Sequence, residues 1–101
     1  MSLEDADARI ALVERAGPLL YGSEWQRALA RGLGPLHPEG ARPSIDDSLV
    51  RKWVRRARPV PDWVSGALMQ LLRDRASALE AERADCEALI AELAGSDGRR
   101  E

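Results

Sequence analysis

The chain has one cysteine, one histidine, one tyrosine and no phenylalanine in 101 residues, and its apolar runs are short. A lone cysteine has no internal disulfide partner, which points to a reducing, cytoplasmic setting. One thiol and one imidazole are too few for a structural zinc site, so neither metal nor cofactor is expected. A membrane span needs roughly 20 apolar residues, and Met1 to Arg9 is acidic where a secretory leader would be basic. Neither anchor nor signal peptide is expected.

Side chains that do chemistry are equally sparse. Gly32 and Gly34 follow no strand and precede no Lys-Ser or Lys-Thr, so they make no phosphate loop. His37, alone between Leu36 and Pro38, reads as a surface loop residue. Cys86 has no histidine to activate it and reads as a small core residue on an apolar stripe. Glu80 and Glu82 lie where nothing would raise a carboxyl pKa. The chain is expected not to be an enzyme.

What is present is charge, unevenly placed. The net charge of −2 would argue mildly against a polyanionic partner. Residues 1–24 carry two basic and five acidic side chains (net −3), residues 25–61 eight and three (net +5), and residues 62–101 five and nine (net −4). A basic island thus sits between acidic flanks, and a partner within a Debye length of about 8 Å feels the island rather than the average. Arg51, Lys52, Arg55, Arg56 and Arg58 follow one another with no acid between them.

The pattern is helical throughout, and the expected fold class is all-α: a small helix-turn-helix bundle, one domain over 1–101, with a long C-terminal helix. Leu3, Ala6, Ile10 and Val13 predict a first helix over 3–16, opened by Ser2 and stopped by Gly17-Pro18. Ser23-Glu24-Trp25-Gln26 reads as a capping box for a short second helix with Ala28, Leu29 and Leu33 on its apolar side. Three prolines and a glycine make 35–44 a loop. A third helix of about 46–57 starts at Asp46 or Asp47, buries Ile45, Leu49, Val50 and Trp53, and ends before Pro59-Val60-Pro61. Trp25, Trp53 and Trp63 all fall at core-facing positions.

The last helix is expected over 62–94, capped by Asp62 and closed by Gly95, with a disordered tail over 95–101. Such a helix is about 48 Å long, beyond the diameter of the globule, so its far half must leave the core. Leu72, Leu79, Cys86 and Leu93 recur every seven residues, with Leu68, Ala76, Leu89 and Ile90 beside them and charged Arg75 and Glu82 as companions, an imperfect heptad. A second copy is the favoured cover for this stripe, giving a homodimer through the C-terminal helix; pairing with the first helix of the same chain is the alternative.

Gln26, Ala30 and Gly34, each four apart, followed by Val50 and Trp53, match the helix-turn-helix pattern of a small residue at the crossing and a glycine at the turn. With Leu19-Leu20-Tyr21-Gly22, Trp25-Gln26, Leu29-Ala30-Arg31-Gly32-Leu33-Gly34, Val50-Arg51-Lys52-Trp53, Arg58-Pro59-Val60-Pro61 and the run from Leu68 to Arg75, the chain resembles short bacterial and phage-derived helix-turn-helix transcriptional regulators of the repressor and Cro type. The resemblance covers about 19–75.

It implies a dimeric, sequence-specific protein of the bacterial cytoplasm, of prophage origin, whose third helix enters the major groove of double-stranded DNA. Asp47, Ser48, Arg51 and Lys52 would then meet base edges, and Arg55, Arg56, Arg27 and Arg31 phosphates. Two departures stand out. About ten residues, 35–44, are inserted into the turn, where Arg42 would reach the phosphate backbone; doubling a loop costs only about 0.6 kcal/mol. Arg56 stands where the family often has glycine, which predicts a longer third helix. The competing reading is a protein-interaction module on a degenerate helix-turn-helix scaffold.

Overall fold

The computed structural model describes residues 6–98, with side chains over 7–96, and over this range the protein is all-α. Four helices follow in order: α1 (Ala6–Tyr21), α2 (Trp25–Leu33), α3 (Asp47–Val54) and α4 (Trp63–Gly98), with a 3-10 turn (Gly34–Leu36) closing α2. Ser2 and Leu3, the expected opening of the first helix, lie outside the described residues. Among the described residues no helix is long and apolar enough to cross a membrane.

α1 does not stop at Ala16. It carries Pro18 inside and ends at Gly22, whose φ of +83° suits glycine and whose N–H donates to the Pro18 carbonyl at 2.8 Å. An interior proline disfavours a helix by about 3 kcal/mol, and packing outweighs this. Gly17, read from sequence as a stop, is the seat of the Trp25 ring, which occupies the space a Cβ would need. Leu20 and Tyr21, gained by running past the proline, pack against the core.

The same docking explains why the expected capping box is not made. α2 begins at Trp25 with Glu24 at the cap position and no side-chain cap bond. Only Ser23 and Glu24 link it to Gly22, and the tryptophan seat on α1 decides the entry angle.

Gly34 also departs from expectation. It is helical (φ −51°, ψ −52°) rather than left-handed, and it is glycine for space: a Cβ there would fall 2.5 Å from the Ser44 nitrogen and 2.6 Å from the Arg42 carbonyl oxygen. The inserted segment folds back at this point. Arg42 N–H donates to the Gly34 carbonyl at 3.1 Å and Ile45 N–H to the Ala30 carbonyl at 3.0 Å, so the loop is bound to the end of α2 through carbonyls that also accept from the His37 and Gly34 N–H groups. His37 is half-buried rather than a free surface residue: its ring tilts over Trp63 at 5.0 Å and its Nδ1 accepts from the Glu39 N–H at 3.1 Å.

α3 is shorter than expected, ending at Val54. Ala57 N–H donates to the Lys52 carbonyl and Arg56 N–H to the Trp53 carbonyl, a Schellman closure in which Arg56 takes φ +62°. Arginine thus adopts a backbone shape that glycine takes more readily. Its guanidinium is held by Glu14 of α1 at 2.8 Å. Left-handed backbone is costly for a residue with a Cβ, whereas exposed ion pairs contribute little. Arg56→Gly is therefore expected to raise the thermal midpoint by a few degrees and Glu14→Gln to lower it slightly. A lowered midpoint for the glycine variant in thermal circular dichroism would show that the ion pair outweighs the strain.

The core lies where α1, α2, α3 and the start of α4 meet. Val13, Leu29, Leu33, Val50, Val60 and Val64 are sealed in it, with Trp53 and Leu68 beside them. Arg9 Nε donates to the Val60 carbonyl at 2.8 Å, tying α1 to the Pro59-Val60-Pro61 link. As the length predicted, α4 then leaves the core: from Met69 onward its large apolar side chains are exposed apart from the half-buried Leu71, and the molecule measures 66 × 28 × 23 Å. The helix does not close at Gly95 but continues to Gly98. Cys86 is exposed, not a core residue.

Candidate nucleic-acid interface

α3 turns two faces to two environments. Val50 and Trp53 face the core, and the helical repeat carries Ser48, Arg51 and Arg55 along the opposite side, with Asp47 and Lys52 at its edges. Arg51 and Arg55 are exposed, Ser48 and Lys52 half-buried.

The start of this face is set by local chemistry. Asp46 caps α3, its Oδ1 accepting from the Ser48 N–H at 3.0 Å. That backbone hydrogen bond, joined by one from the Ser48 side chain and by the nearby Lys52 and Arg51 charges, holds the Asp46 carboxyl below its ordinary value. The stability it contributes is therefore present above the unfolded carboxylate pKa of about 4 and is lost as pH falls through the lower folded value. Asp46→Asn keeps an acceptor without the titration. We expect the urea midpoint of the native protein to fall between about pH 5 and 3 by more than that of Asp46→Asn; equal losses would remove Asp46 from acid sensitivity.

Asp47 is committed differently. Its Oδ2 accepts from Arg27 Nε at 3.2 Å, across from α3 to α2. Of the two carboxylates at the start of α3, one is thus a cap and the other is paired with an arginine.

Arg27 and Arg31, one turn apart on α2, are both exposed and line an open cleft of about 600 Å³ together with Arg51 of α3. The structure thus brings Arg27, Arg31 and Arg51 to one cleft, places Ser48 and Arg55 on the outward face of α3 that carries Arg51, and sets Asp47 between α2 and α3. It does not bring Arg42 or Arg56 there. Arg42 Nε donates to the Gly40 carbonyl at 3.3 Å, and its side chain lines a different pocket with Ile45, Asp46 and Leu49 on the other flank of α3. Arg56 is turned to Glu14.

Ser23 and Gln26 were missed as site residues. Both line the same cleft, with Glu24 on its rim, at the N-terminus of α2, whose N–H groups have no side-chain cap. Their signal was in the sequence as a Ser-x-x-Gln box, and reading it as a cap assigned those polar groups to the helix itself. Among the described residues no group of three His, Cys, Asp or Glu side chains is placed to hold a metal ion. Comparison with protein-family models, curated proteins and solved structures finds no match to this chain.

Proposed function

We propose that this chain is a sequence-specific, non-enzymatic regulator that binds duplex DNA as a dimer in the bacterial cytoplasm, with α3 in the major groove. The observation that carries the reading is the pairing of faces on α3: Val50 and Trp53 anchor it to the core, and Ser48, Arg51 and Arg55 face away from that core, beside Arg27 and Arg31 of α2. An α-helix with its side chains is about 10–12 Å across, close to the width of the major groove. Arg51, in mid-helix, offers the bidentate fork that suits a guanine edge, with Ser48 and Lys52 flanking it. Arg55, Arg27 and Arg31 suit phosphates. Asp47 acts by orienting Arg27, and the N-terminus of α2 with Ser23 and Gln26 adds donors for a phosphate.

Three phosphate-facing arginines per chain, six per dimer, release counterions on binding. A fourfold rise in salt is therefore expected to weaken binding about 10³-fold. Fluorescence anisotropy against pooled genomic duplexes at two salt concentrations tests this, and no duplex binding at low salt would end the reading. The competing reading, a protein-interaction module, is favoured by the exposed leucines of α4; it expects capture of a protein partner and indifference to duplex.

A further inference from the structure

The exposed half of α4 has a definite seam. Met69, Leu72, Ala76, Leu79, Arg83, Cys86, Ile90 and Leu93 alternate in steps of three and four, so Arg83, not Arg75 or Glu82, is its one charged member. At its start the seam runs into an apolar groove of about 440 Å³ between α1 and α4, lined by Leu12, Ala16, Leu68, Met69 and Leu72, with Ser65 among the lining residues. Large apolar side chains at the other end, Leu89, Ile90 and Leu93, are more than half exposed. One end is concave and the other convex.

Charge on the flanks selects the direction. Beside the seam lie Arg73 and Arg75 in the first half, then Glu80, Glu82 and Glu87. Two copies running parallel and in register would set Arg83 against the partner's Arg83 and Glu82 against the partner's Glu87. Running antiparallel, with Ala76 opposite the partner's Leu79, Arg73 meets the partner's Glu80, Arg75 the partner's Glu82, and Leu68 the partner's Leu89, each twice by symmetry. The register also brings the partner's Ile90 to Ser65, at the groove.

We propose that α4 pairs antiparallel with α4 of a second copy, Ala76 opposite the partner's Leu79, so that Leu89 and Ile90 of each α4 reach the Ser65 and Leu68 end of the groove between α1 and α4 of the other. The proposal rests on the dimer half of the reading above and not on DNA.

The single cysteine makes the direction testable. Across an antiparallel pair Cys86 lies opposite the partner's Met69, whereas the two Cys86 thiols are 17 residues, about 26 Å, apart and cannot bridge. Under diamide, non-reducing gels are expected to show Met69→Cys almost wholly as a crosslinked dimer, and the unaltered chain and the Met69→Cys/Cys86→Ser variant as monomers. Sedimentation of the unaltered chain at high micromolar concentration should give a dimer. Crosslinking of the unaltered chain through Cys86 would mean a parallel pair and overturn the proposal, as would a monomer in sedimentation or a dimer that Met69→Cys fails to trap. A chain that crosslinks as expected and ignores duplex at low salt would leave the proposal standing and end the regulator reading.

Discussion

Arg51→Ala is expected to weaken binding to the best duplex by about 10- to 100-fold, the loss of one bidentate base contact worth about 1–3 kcal/mol. Arg51 is exposed, stands in the middle of α3, and shares a cleft with Arg27 and Arg31 of α2. Its loss should also relax discrimination: affinity for unrelated duplexes should fall far less than affinity for the preferred one. Arg55→Ala should behave differently, lowering affinity similarly for all sequences and making the salt dependence shallower by about one counterion per chain. Arg42, whose side chain bonds within its own loop and lines the other flank of α3, serves as the control, and its alanine variant should bind nearly as the native chain does. Anisotropy titrations of the three variants on two duplexes check this. An Arg51→Ala effect that is equal on both duplexes would make Arg51 a phosphate contact and remove α3 from sequence reading.

Trp53→Ala should leave little folded protein. The side chain is 2% exposed, and truncating a buried tryptophan costs about 3–5 kcal/mol, comparable to the whole stability of a marginal small domain. Its position makes the loss worse than burial alone suggests. Trp53 lines a pocket on one side with Ile10, Arg56 and Val60, and another on the other side with Ile45, Leu49 and Pro61, of about 210 and 260 Å³. Its removal therefore takes a lining residue from both pockets at once. Trp63→Ala, half-buried and in contact with His37, should cost much less. Urea titrations followed by far-ultraviolet circular dichroism compare the two, and a Trp53→Ala midpoint close to that of Trp63→Ala would mean that α3 is not anchored by its tryptophan.

Whether a residue's part could be read in advance depended on how local its physics is. The inward faces of α2 and α3 follow from the spacing of Leu29, Leu33, Val50 and Trp53, because burial of one helical face is a property of a few consecutive turns. Asp46 was legible for the same reason: a cap bonds its own first turn. The basic side of the α2–α3 pair was legible as a cluster, since Arg27, Arg31, Arg51 and Arg55 sit at helical spacing on elements whose inner faces were already known. Arg42 and Arg56 were not separable from that cluster. The first depends on the path of a ten-residue loop and the second on a backbone reversal that points its side chain at Glu14, 42 positions away in sequence.

The glycines and prolines mark where local rules gave out. Gly17-Pro18 has the composition of a helix stop, yet Trp25 needs the bare backbone of Gly17 and the chain continues through Pro18 to reach it. Gly34 has the spacing of a turn glycine, yet it is helical and leaves room for the backbone of the loop. By itself, then, the sequence determined four helices, the order in which they come, the charge of each third of the chain and the excess length of α4, all of which depend on residue types within a turn or two. Only the tertiary structure decided where α1 and α3 end, that the inserted loop is bound to the end of α2, and which arginines share a face. Those outcomes depend on contacts between residues far apart in the chain: Trp25 on Gly17, the loop backbone on Gly34, and Glu14 on Arg56.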